Sequence, residues 1–119
     1  MPEGFLTTHV LDTALGVPAA GMKVSLFHIE ETKRTLIAQM STNSDGRTDS
    51  QILPKESFAA GTYELIFEAG AYFDKIGLQL DAPKFLDVIP IRFGISDTDS
   101  HYHVPLLVSP FGYSTYRGS

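Results

Sequence analysis

Two histidines one residue apart, His101 and His103, open an apolar run near the C-terminus, His101-Tyr-His-Val-Pro-Leu-Leu-Val-Ser109. The two-residue period of a β-strand puts both imidazoles on one face. Tyr102, Val104, Leu106 and Val108 take the other face, the pattern of a surface turned to a core, so the histidines look at solvent, a cleft or a partner subunit. Imidazoles carry protons near neutral pH and suit general acid-base work. His-x-His is also a common metal-ligand spacing, but a zinc site needs a third ligand and no cysteine or adjacent acidic residue supplies one; no metal is expected.

His9 and Arg47 join His103 as the residues to examine first. A lone strand histidine and a charge after a turn are ordinarily structural or solvated. Ser109, Ser114 and Ser119 lie near the histidines in sequence, yet no Gly-x-Ser-x-Gly elbow marks a nucleophile. Asp45-Gly46 is a turn signal and matches no phosphate-binding loop. The C-terminus, Tyr113-Ser-Thr-Tyr-Arg-Gly-Ser119, carries two tyrosines and a guanidinium where chain ends are usually small and featureless, so it is expected to be docked.

These groups need strands to hold them. Phe5 to Asp12 alternates, with Leu6, Thr8 and Val10 on one face and Phe5, Thr7, His9 and Leu11 on the other. Thr13 to Gly21 reads as a loop, Met22 to Glu30 as a strand, Glu30 to Lys33 as a turn, and Arg34 to Thr42 as a further strand. Asn43 to Asp49 is the strongest turn in the chain, Asp45-Gly46 supplying its positive-φ positions. Gln51 to Ala60 reads as irregular, Gly61 to Ala69 as a strand, and Ala71 to Leu80 as the one helix, weakened by Gly77. Phe85 to Ile95 returns to strand and must lie at an edge or be bulged, because Pro90 cannot donate to the ladder. Seven or eight short strands, one helix and no βαβ alternation predict an antiparallel β-sandwich.

The 119 residues suit one domain, 1–119, with a real core. Nine basic against fourteen acidic residues give a net charge of −5 with no basic cluster, which argues against nucleic acid. The absence of cysteine removes disulfides and thiolate chemistry and agrees with a reducing compartment. No apolar run approaches the ~18 residues of a membrane span, and the N-terminus lacks a signal-peptide pattern. A soluble, cytoplasmic protein is expected.

Leu6-Thr-Thr-His-Val-Leu-Asp12, Pro18-Ala-Ala-Gly-Met22, Thr42-Asn-Ser-Asp-Gly-Arg47, Phe67-Glu-Ala-Gly-Ala-Tyr-Phe73, His101 to Pro110 and the final Tyr116-Arg-Gly-Ser119 together resemble the 5-hydroxyisourate hydrolases, transthyretin-related enzymes of urate breakdown. The resemblance runs in order over nearly the whole chain, and the Tyr-Arg-Gly-Ser ending is its most specific part. It implies a transthyretin-like sandwich of two four-stranded antiparallel sheets with one short helix, a homotetramer, and hydrolysis of 5-hydroxyisourate to 2-oxo-4-hydroxy-4-carboxy-5-ureidoimidazoline. It places catalytic roles on His9, Arg47 and His103, and substrate contacts on those three with Tyr116, Arg117, Gly118 and Ser119. Direct attack by water implies no cofactor. A transthyretin-like module that holds a small aromatic ligand without turning it over is the other reading the fold permits. The histidines, the arginine and the ending favour the enzyme.

Overall fold

Alternation along the first strand sets up the core. In β1 (Phe5–Asp12), Leu6, Thr8, Val10 and Asp12 are buried while Phe5, Thr7, His9 and Leu11 are half-buried on the opposite face. The computed structural model describes residues 3–118, and among these it holds eight strands in two four-stranded sheets. β2 (Val17–Pro18), β3 (Lys23–Glu30), β4 (Lys33–Ser41), β5 (Gly61–Glu68), β6 (Val88–Ile95), β7 (His101–Ser109) and β8 (Gly112–Thr115) follow β1, with α1 (Ala69–Lys75) between β5 and β6. The sheet orders are β2-β1-β7-β8 and β4-β3-β5-β6. Phe67, Phe73, Leu6, Met22, Leu26 and Leu106 are among the fully buried side chains between them. The expected sandwich of two four-stranded sheets with one short helix is therefore observed.

One pairing departs from the antiparallel expectation. The β4-β3-β5-β6 sheet is antiparallel throughout, but β1 and β7 run parallel, in the register Phe5↔His101, Thr7↔His103, His9↔Pro105. These strands come from opposite ends of the chain, so no hairpin dictates their relative direction. The parallel register aligns the outward residues of both strands, and that alignment builds the site.

The helix is also shifted, to Ala69–Lys75 instead of Ala71–Leu80. Gly77 ends it. At φ +88° Gly77 takes the left-handed position beyond the last turn, its amide donates to the Asp74 carbonyl, and the Leu78 amide donates to the Phe73 carbonyl at 3.1 Å, the paired bonds of a glycine-terminated helix. Tyr72 of this helix donates its hydroxyl to the buried Asp12 carboxylate at 2.8 Å, and the other Asp12 oxygen accepts from the Ala14 and Leu15 amides. Burial and this carboxylate push the Tyr72 hydroxyl well above the usual tyrosine value. β6 lies at a sheet edge, where the missing amide proton of Pro90 is tolerated in the ladder.

Candidate active site

The outer face of the β1–β7 pair carries the chemistry. Tyr102, Val104, Leu106 and Val108 are buried, as their alternation requires, and this turns His101 and His103 outward beside Thr7. Thr7 Oγ1 lies 2.6 Å from His101 Nε2 and 2.8 Å from His103 Nδ1. The His101 ring stacks on Phe5 at 4.1 Å between centroids. His9, one pleat further along β1, sits with its ring centroid 6.4 Å from that of His103.

Arg47 reaches the same face by a turn that the sequence from Asn43 dictates. The Asn43 side-chain oxygen accepts from the amides of Asp45 and Arg47, the Asn43 amide donates to the Arg47 carbonyl at 2.7 Å, and Gly46 alone takes positive φ, at +77°. The Val10 amide donates to the Gly46 carbonyl at 2.8 Å and fixes the turn against β1, so that His9 and Arg47 form a bridge pair. A side chain at position 46 would meet the Val10 carbonyl at 2.4 Å and the His9 ring at 3.3 Å; only glycine lets the turn sit this close.

The C-terminal segment closes on the other imidazole. After β8, the Gly118 amide donates to the His103 carbonyl at 2.7 Å. Arg117 turns its guanidinium over the Tyr102 ring, 4.0 Å from its centroid, on the side of β7 away from the imidazoles. Gly118 thus stands beside the histidines and Arg117 anchors the tail. Tyr116 is 60 % exposed and outside the cleft lining, and Ser119 lies outside the described residues.

A cleft of about 1080 Å³ opens here, walled by Thr7, His101, His103 and Arg47 and continuing past Met40 and Ser50 to Leu53. Burial holds the His103 imidazole below the usual histidine range, with the charges of Arg47, then His101 and His9, pushing the same way. His9 is lowered by burial first and Arg47 second, against a smaller opposing pull from Asp45. Both are therefore neutral bases near pH 7. His101 Nε2 and His103 Nδ1 are both engaged by the Thr7 hydroxyl, and among the described residues no three His, Cys, Asp or Glu side chains gather as a metal-ligand set.

Residues 6–118 match the HIUase/Transthyretin family. The chain belongs to that family. It is 60 % identical over 117 residues to 5-hydroxyisourate hydrolase 2 of Rhizobium meliloti (strain 1021), with 98 % of each chain covered. Among solved structures it resembles the Klebsiella pneumoniae 5-hydroxyisourate hydrolase, at 37 % identity and a TM-score of 0.79 over 97 % of this chain and 99 % of that one. It also resembles an (S)-allantoin synthase at 46 % identity and a TM-score of 0.92, covering 98 % of this chain but spanning only 44 % of that longer one.

Within this family frame the structure brings together His9, Arg47, His103 and Gly118, leaves Tyr116 exposed on the protomer, and turns Arg117 to Tyr102. Sequence reasoning missed Thr7 and Gly46. Thr7 shares an outward face with His9 in the strand pattern, which was its only local signal; its meeting with His103 depends on a pairing across 96 residues. Gly46 was read as a turn former, although its larger role is the absence of a side chain against His9.

Proposed function

We propose that this chain hydrolyses 5-hydroxyisourate, opening its ring to the carboxylate product, with His9, Arg47 and His103 as the catalytic groups. The observation that carries the assignment is the gathering of two imidazoles around one guanidinium, His103 and Arg47 lining one cleft and His9 bridged to Arg47 beside it, in a chain 60 % identical over its length to a 5-hydroxyisourate hydrolase. An imidazole of the His9/His103 pair takes the proton of the attacking water. Arg47 offers fixed donors to the oxygen that becomes negative as the carbonyl is attacked, where preorganised charge lowers the barrier most. The imidazole that took the water's proton returns one to the departing nitrogen, so the chemistry closes without a covalent intermediate or cofactor. The His9 and His103 ring centroids lie 6.4 Å apart, close enough for both imidazoles to reach one reacting edge of a small heterocycle.

Gly118 borders His103, and we assign the remaining substrate contacts to Tyr116, Arg117 and Ser119 within a homotetramer in which a neighbouring subunit covers the cleft. The edge strands, β2 and β8 in one sheet and β4 and β6 in the other, offer backbone groups for such an assembly to pair. No helix among the described residues is long and apolar enough to cross a membrane, and the acidic balance disfavours nucleic acid; we place the protein in the cytoplasm with a small-molecule substrate as its partner. The test is product analysis. Carbon-13 spectra of freshly generated 5-hydroxyisourate incubated with the protein should show a new carboxylate appearing ahead of spontaneous decay, while ligand retention without product would leave a non-catalytic binder.

A further inference from the structure

Thr7 has one hydroxyl proton and two imidazole partners, so its contacts to His101 Nε2 and His103 Nδ1 cannot both be donated by the threonine. One of the rings must donate. The tautomers of His101 and His103 are thereby coupled through Oγ1. We propose that Thr7 and His101 act as positioning residues that form with His103 a proton relay from the cleft to solvent.

In the resting arrangement His103 Nδ1–H donates to Thr7 Oγ1, and the Thr7 hydroxyl donates to His101 Nε2. This leaves His103 Nε2 bare. Arg47, which shares the cleft lining with His103, presents only donors, and a bare nitrogen facing the cleft is the form that suits it. When Nε2 takes the proton of the attacking water, the Nδ1 proton passes to Thr7 Oγ1 and the threonine's own proton passes to His101 Nε2. His101, exposed and held in place by its stack on Phe5, then gives its Nδ1 proton to solvent. One proton enters at His103 and one leaves at His101. His103 is left as the Nε2–H tautomer, the acid form that the departing nitrogen requires, and the reverse shift resets it. The proton released at His101 during attack is taken back there as the departing nitrogen is protonated, so the relay balances over a turnover, and the product's carboxylic acid loses its own proton directly to solvent at neutral pH. The relay rests on the hydrolase reading of the site.

The test uses the full chain with Thr7→Val, which keeps shape and removes the hydroxyl, Thr7→Ser, which keeps the hydroxyl, and His101→Ala. Thr7→Val should lower kcat roughly 10- to 100-fold, the scale for losing a partner that orients a histidine, with KM nearly unchanged, and Thr7→Ser should restore it. His101→Ala should recover kcat as imidazole buffer is raised, after subtraction of buffer-catalysed decay. Independently of turnover, nitrogen-15 spectra should show His103 protonated at Nδ1 in the unaltered chain and shifted toward Nε2–H in Thr7→Val. Full kcat in Thr7→Val, equal losses in Thr7→Val and Thr7→Ser, or an Nε2–H His103 in the unaltered chain would overturn the relay. Failure of the unaltered chain to turn over 5-hydroxyisourate would overturn the hydrolase reading instead, with the spectra still deciding the tautomer coupling.

Discussion

Gly118 donates its amide to the His103 carbonyl at 2.7 Å while its α-carbon presses on the same residue's ring, so that a β-carbon there would lie 2.7 Å from His103 Cδ2. The tail is thus fitted to the imidazole at a position where even one methyl has no space. Gly118→Ala must move the ring or detach the tail. Because small misplacements of a reacting group cost about 10²-fold, kcat/KM should fall on that order, with an unchanged far-ultraviolet circular dichroism spectrum. Wild-type kinetics in Gly118→Ala would show that the tail does not set the position of His103.

Removing residues 116–119 should abolish turnover and leave the fold intact. The buried side chains of β7 end at Val108 and β8 ends at Thr115, ahead of the deletion, whereas the Arg117–Tyr102 and Gly118–His103 contacts lie within it. Light scattering with the turnover assay checks this; an active truncated chain would place the site elsewhere.

Gly46→Ala should damage both stability and activity. The residue sits at φ +77° with the Val10 carbonyl 2.4 Å from where a β-carbon would be, so the substitution combines backbone strain with a clash. Strain of this kind costs about 1–3 kcal/mol, which thermal unfolding should register as a Tm lower by several degrees. The same shift would draw Arg47 away from His9. An unchanged Tm would mean that the turn relaxes freely.

The acid limb of the activity profile should lie below the usual histidine value of 6.5, since the histidines are lowered by burial first and by Arg47 second. A lowered pKa keeps the imidazole neutral and basic near pH 7, and activity is lost only as pH falls through that lowered value. In Arg47→Ala the limb should therefore move to higher pH, toward 6.5 without reaching it, because burial remains. An unmoved limb would confine Arg47 to holding substrate.

The face assignments in β1 and β7 were legible in the sequence because alternation is local: Tyr102, Val104, Leu106 and Val108 go inward whatever the strand pairs with. The edge position of the Pro90 strand is one of the two placements, edge or bulge, that its missing donor allowed. What depended on distant pairing was not legible. The parallel register that sets Thr7 beside His103 joins residues 96 apart, and nothing in either segment specifies its direction. Gly77 illustrates an ambiguity of type, since a glycine lowers helix propensity inside a helix but caps one at its end. The contact of Arg117 with the Tyr102 ring was likewise not legible, since it depends on where the tail crosses β7.

The most direct measurement is the spectrophotometric decay of freshly generated 5-hydroxyisourate with the unaltered chain, His9→Ala and His103→Ala, each against spontaneous decay. The unaltered chain should accelerate the decay strongly, and each variant should lose about 10²- to 10⁴-fold in kcat/KM, the range for a general acid-base group. No acceleration by the unaltered chain, or undiminished turnover in both variants, would contradict the account.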